Sequence, residues 1–232
     1  LIVEKTKEAA SEAASYLFKE LICTRPLMVL LPGGNSPQTL YKKLVESKII
    51  WKDISIMSTD DRVVPFDSLY SNTRIIKNNL VDKIKSNIKP VLLDPYAKFD
   101  KDIKSGLFEL KSILLKTPPE IAIIGMGKDG HIAGVFNENY HNKYCYDFKN
   151  KLDPYRRITI SLNVFINTNH IIFYILGNSK KKMLTNILLK KREADLSPAK
   201  SLLKKNQGQK IIICDRESAP NDFSMGETVI NY

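Results

Sequence analysis

The chain has 232 residues, with 36 Lys and Arg against 25 Asp and Glu, for a formal charge of +11. That length allows one large domain or two small ones, and 43% hydrophobic with 26% charged residues excludes a disordered tail protein. No apolar run reaches the roughly 18 residues a membrane span needs, so no membrane partner is expected. The opening lacks a basic segment followed by an apolar block and is not read as a signal peptide. Cys23, Cys145 and Cys214 lie far apart, a spacing that argues for reduced thiols in a cytoplasmic protein rather than disulfides or a metal site. Arg supplies only seven of the 36 cations. Guanidinium forks are what nucleic-acid readout favours, so small anions are at least as much to be expected as DNA.

In chain order, LIVEKTKEAASEAASYL reads as an amphipathic helix. Leu27–Leu31 is a short apolar run of the kind buried on both faces of a parallel sheet. Pro32-Gly33-Gly34-Asn35-Ser36-Pro37 follows, and Ser36–Glu46 reads as a helix capped by Ser36. Ile54–Thr59 is a second strand, ending in Asp60-Asp61-Arg62. Ser71–Leu80 is a helix capped by Ser71 or Asn72. Val91–Leu93 is a third strand and Phe99–Leu115 a helix that Pro118 and Pro119 stop. Glu120–Ile124 is a buried strand running into Gly125-Met126-Gly127-Lys128-Asp129-Gly130-His131. Residues 137–151 read as a polar loop, Ile158–Leu162 as a half-buried strand and Ile171–Leu176 as a buried one. Ser179–Leu189 and Pro198–Leu203 are helices, and Lys210–Cys214 a last strand. Alternating strands and helices imply a single α/β domain, Rossmann-like, with a mostly parallel sheet flanked by helices. Ligands in such sheets bind at the carboxyl ends of strands.

The unusual residues stand at those ends. The Gly33–Ser36 segment offers close backbone approach and free N–H groups to an anion, although it would also make a plain strand–helix turn. Asp60 and Asp61 are adjacent on extended chain and point opposite ways, so they do different jobs. In the third segment Asp129 stands two residues before His131, a spacing that orients an imidazole for proton transfer. His141, four residues before Cys145, lacks further metal ligands, and His170 reads as a surface residue. Lys180 begins a helix, where the dipole disfavours a cation unless an anionic ligand offsets it.

In this order the segments resemble the 6-phosphogluconolactonase family. The similarity rests on PGGNSPQTLYKKL, DDRVVPFDSLYSNTR, IGMGKDGHIAGVF, the RITISL and GNSKKKML stretches, and SPAKSL. Asp61 stands where that family usually has Glu, Asn35-Ser36 where it has Ser-Thr, Ile132 for Thr and Asn137 for Pro. The residues after Ala219 have no counterpart. The related glucosamine-6-phosphate deaminases carry a Glu five residues after the His, where this chain has Phe136. The resemblance implies hydrolysis of 6-phospho-D-glucono-1,5-lactone in the pentose phosphate pathway, with no cofactor and no metal. It further implies His131 as general base, oriented by Asp129. Gly33, Gly34, Asn35, Ser36, Asp60, Arg62 and Lys180 would hold the sugar phosphate. A monomer or weak homo-oligomer with no nucleic-acid partner is expected.

Overall fold

The structure, a computed structural model, describes residues 1–22, 27–98, 102–137, 143–149 and 153–228. Cys23, His141 and residues 99–101 therefore lie outside the described residues.

The chain enters on a strand, β1 (Ile2–Glu4), rather than on a helix. The apolar pair Ile2 and Val3 lies in parallel register with Ile213 and Cys214. Thr6 then caps α1 (Lys7–Leu21), its side chain accepting from Ala9 N. β2 (Leu27–Leu31) is buried at every position. α2 (Gln38–Glu46) starts later than the sequence suggests, with Pro37 at the cap position and no side-chain cap bond, so Ser36 is not a cap. β3 (Ile54–Ser58) is followed at once by β4 (Asp60–Arg62), then α3 (Asn72–Asn79), capped by Ser71.

β5 (Val91–Leu92) and α4 (Ile103–Lys116) come next. Asp102 sets the start of α4 by accepting from Lys104 N at 3.0 Å and Ser105 N at 3.3 Å. β6 (Pro119–Ile124) follows, and β7 (Cys145–Lys149) lies inside the stretch expected to be loop. β8 (Arg156–Ile160) begins two residues earlier than expected, and Leu162 opens a short helix, α5 (Leu162–Ile166). His170 is the first residue of β9 (His170–Ile175). The remaining elements are α6 (Lys181–Leu188), α7 (Pro198–Lys205), β10 (Gln209–Asp215) and β11 (Gly226–Glu227).

The main sheet runs β11-β1-β10-β9-β6-β2-β3-β5, with β11 antiparallel and the other pairs parallel. Alternation along its strands feeds two cores. Leu27, Val29 and Leu31 face one core with Phe18 of α1, Tyr41 of α2 and Ile76 of α3. Met28 and Leu30 face the other with Leu110 of α4, Leu184 of α6 and Leu202 of α7. A second, antiparallel sheet, β4-β8-β7, packs Ile158 and Ile160 into that latter core. From β2 the chain moves outward to β3 and β5, then returns to the far side of β2 as β6. The loops after β2 and β6 therefore flank a topological switch point, where doubly wound sheets open a crevice. Among the described residues no helix is long and apolar enough to cross a membrane.

Candidate active site

The loop after β2 is shaped by its glycines. Gly34 takes φ 83°, which glycine adopts without strain. A Cβ on Gly33 would lie 1.9 Å from Asn72 Cγ, so only glycine lets the first residue of α3 close on this loop. Tyr41 of α2 donates its hydroxyl to Pro32 O and tethers the loop from below.

β4 splits its two carboxylates between opposite tasks. Asp61 turns inward and accepts from Asn72 N at 2.7 Å and Thr73 N at 2.9 Å, holding the start of α3. Burial pushes its pKa up to about 6, against these bonds. Asp60 turns to the crevice. Burial raises its pKa too, while Arg157 at 3.3 Å and Arg62 act in the opposite direction. In the β4–β8 register Arg62 stands directly opposite Arg157. Like charges at such positions repel. Asp153 lies between them, accepting from Arg157 Nε at 2.6 Å with Arg62 Nε at 3.9 Å. Asn72 completes the frame, donating to Asp60 O at 2.9 Å and accepting from Arg62 Nη1 at 3.2 Å.

The loop after β6 closes on itself. Gly127 N donates to His131 O at 2.8 Å, and Gly130, at φ 84°, donates to Gly127 O at 3.0 Å. α7 anchors the turn through Ala199 N to Gly130 O at 3.1 Å. Inside it, His131 Nδ1 lies 2.5 Å from Asp129 Oδ1, which also accepts from His131 N at 3.3 Å. Partial burial works against the Asp129 charge, but the facing imidazole outweighs it and holds the pKa below the ordinary carboxylate value. With Nδ1–H donated to Asp129, Nε2 carries the free lone pair. Two residues on, Ala133 takes φ 48°, a left-handed conformation that costs a non-glycine residue roughly 1–2 kcal/mol. Such strain gathers at functional sites.

Gly177, at φ 85°, turns the chain after β9 and donates to Asp215 Oδ1 at 3.0 Å. That turn delivers Lys180 to the start of α6. Partial burial lowers the Lys180 pKa, opposed by Asp129 and reinforced by Lys128.

These segments enclose a cavity of about 300 Å³. Of the residues expected to bind or act on substrate, Gly33, Gly34, Ser36, Asp60, Arg62, His131 and Lys180 line it. Asp129 does not line it and stands behind His131. Asn35 is not on the wall either; its Oδ1 accepts from Gln38 Nε2 at 3.2 Å. Arg157, Lys128, Asn72 and Tyr174 are lining residues that sequence reasoning passed over. The Arg156-Arg157 doublet at a strand start was the one available signal for the first of them. Four cationic side chains and one carboxylate, Asp60, thus face a pocket with an imidazole on its wall.

A cationic pocket at the switch point of a parallel sheet, with an Asp-oriented imidazole beside it, is the equipment of an α/β enzyme that acts on a small anion. The family model described as glucosamine-6-phosphate isomerases/6-phosphogluconolactonase matches residues 4–212, and the chain belongs to that family. The chain is 30% identical over 173 residues to a 6-phosphogluconolactonase of Thermotoga maritima, covering 70% of this chain and 74% of that protein. A Helicobacter pylori protein of the same description is 28% identical over 189 residues, covering 76% and 81% of the two chains. Among solved structures, the 6-phosphogluconolactonase of Trypanosoma brucei superposes with a TM-score of 0.78 at 19% identity, over 94% of this chain and 97% of that one. A monomeric glucosamine-6-phosphate deaminase superposes at 0.79 with 17% identity, over 94% and 98%. The backbone alone therefore does not separate the two activities.

Proposed function

We propose that this chain hydrolyses 6-phospho-D-glucono-1,5-lactone to 6-phosphogluconate, with His131 as general base. The observation that carries this is His131, held by Asp129 behind it, on the wall of a four-cation pocket. A lactone is an activated ester, so a positioned water suffices as nucleophile. His131 Nε2 takes a proton from that water as its oxygen bonds to C1. The tetrahedral oxyanion is stabilised by loop N–H groups. As it collapses the C1–ring oxygen bond breaks, and the imidazolium returns its proton to the departing oxygen.

Arg62 and Arg157, opposed in register, share Asp153 and also face the pocket, where an anionic group adds to that compensation. With Lys180 and the Gly34–Ser36 turn they form the phosphate end of the pocket. Asp60 is left to accept from sugar hydroxyls. The position of the deaminases' Glu holds Phe136, which packs on His131 and supplies no proton. That favours the lactonase over the deaminase.

The same reading makes the protein a cytoplasmic monomer or weak homo-oligomer with no nucleic-acid partner. Its lysines stand on α1, α2 and α3 on one face of the sheet and on α4, α6 and α7 on the other, rather than in one stripe. The test is a coupled lactonase assay beside a deaminase assay on one preparation, corrected for spontaneous lactone hydrolysis. Lactonase turnover that His131→Ala lowers by about 10²–10⁴-fold is expected. Deaminase turnover alone, or full lactonase turnover in a folded His131→Ala protein, overturns the reading.

A further inference from the structure

After His131 the chain reverses within four residues. Val135 N donates to Ile132 O at 2.8 Å and Ile132 N to Val135 O at 3.3 Å, with left-handed Ala133 inside the turn. The reversal lays Phe136 back against His131, the ring centroids 4.4 Å apart and the planes inclined by 32°. Phe136 is 37% exposed and does not line the pocket, so it meets the imidazole from outside.

Phe136 is itself buttressed. Phe148 of β7 meets it edge-on, with centroids 5.7 Å apart at 62°. Phe148 fits only because residue 134 is glycine, since a Cβ there would lie 2.5 Å from Phe148 Cε1. The other sides of the imidazole are taken as well. Asp129 holds Nδ1, and Gly127 abuts the Nδ1–Cε1 edge so closely that a Cβ would come within 2.1 Å.

We propose that Phe136 is a positioning residue for His131, which rests on the reading of His131 as the base. One hydrogen bond to Asp129 leaves the ring free to swing about Nδ1, and the aromatic face removes that freedom. It also offers a π-face to the imidazolium formed when the water proton is taken. The charged groups around that imidazolium are Asp129 and Asp60 against Lys128, Lys180, Arg62 and Arg157, which together are cationic. An aromatic ring stabilises the cation there without adding a carboxylate that would repel the substrate.

The test compares Phe136→Leu, Phe136→Tyr and His131→Ala, with urea midpoints recorded for each. Phe136→Leu should lower kcat about tenfold at unchanged KM, and Phe136→Tyr should restore it, since small misplacements of a catalytic group are costly. In proton NMR the His131 ring resonances, shielded by the Phe136 ring current, should move downfield in Phe136→Leu and not in Phe136→Tyr. Phe148→Leu, one contact further out, should lower kcat in the same direction by less. Unchanged kcat in Phe136→Leu and Phe148→Leu, beside an inactive His131→Ala, overturns the proposal and leaves the base in place. Unmoved ring resonances in Phe136→Leu overturn the stacking itself. Full turnover in His131→Ala removes the base and the positioning role together.

Discussion

Thr73 binds Asp61 twice, through its backbone N–H at 2.9 Å and its hydroxyl at 2.8 Å, both to Oδ2. Asn72 N and Arg62 N, at 2.7 and 2.8 Å, occupy the other oxygen. The buried carboxylate is thereby the splice between β4 and α3, and Arg62 and Asn72, its direct partners, both line the pocket. Asp61→Ala strands these donors in the interior, where each loss is severe, and should destabilise the protein by about 2–4 kcal/mol in urea unfolding.

The same residue gives stability a pH dependence of unusual sign. Its folded pKa, about 6, lies above its ordinary 3.8, so the fold favours its protonated form. Its contribution is complete below the ordinary value and is lost as pH rises through about 6. The wild-type urea midpoint should therefore fall between pH 4 and 7 relative to that of Asp61→Asn, which does not titrate. A wild-type midpoint that rises relative to the variant would contradict this.

Asp129→Asn replaces an acceptor by an amide that can present its N–H to His131 Nδ1. The imidazole would then carry its proton on Nε2 and lose its basic lone pair toward the pocket. We expect kcat to drop by about 10²-fold or more, as for other base-orienting carboxylates, with KM little changed. Steady-state kinetics on the lactone decides it.

Gly127→Ala and Gly33→Ala separate the two halves of the pocket. At 127 the new Cβ would collide with His131 Nδ1 at 2.1 Å and Asp129 Oδ1 at 2.6 Å. At 33 it would collide with the Asn72 amide at 1.9–2.4 Å, and Asn72 holds Arg62. Gly127→Ala should chiefly lower kcat, and Gly33→Ala should chiefly raise KM. The reverse pattern would reassign the two loops.

Lys180→Ala and Arg157→Ala should raise KM about tenfold or more, because charge-assisted hydrogen bonds are worth roughly 1.5–3 kcal/mol. The wild-type KM should also rise with salt. An unchanged KM in either variant removes that residue from the phosphate end.

The strands of the main sheet were legible because burial on both faces writes a continuous apolar run, as in LMVLL and EIAII. The second sheet was not. β4 is Asp-Asp-Arg, polar because one side chain binds a helix start and two face the pocket, so it reads as a strand end. β7 is Cys-Tyr-Asp-Phe-Lys set in polar surroundings, and only its pairing with β8 makes it a strand. Ile2 and Val3 read in sequence as part of a helical pattern because their parallel partners, Ile213 and Cys214, lie so far along the chain.

The site divides the same way. His131, Asp129, Arg62 and Lys180 follow strands and could be placed from order alone. Arg157 could not, because its arrival opposite Arg62 depends on a long-range register. Asn72 shows in sequence only as a helix-start residue. Phe136 reaches His131 through a tight turn that no apolar period announces.

Among the described residues β1 pairs only with β10 and β11, strands drawn from residues 209–227. It precedes the other strands in the sequence, yet it has no partner in the sheet until residues 209–227 are in place. α1 packs on α2 and on the β2 side of the sheet and can join them early, whereas β1 has to wait for β10. The pairing that completes this edge of the sheet brings Leu1 to Thr228: Leu1 N donates to Thr228 O and Thr228 N to Leu1 O, each at 2.8 Å. A translational pause before residue 209 would leave the β9 edge uncovered, which makes this the stage most exposed to edge-to-edge aggregation.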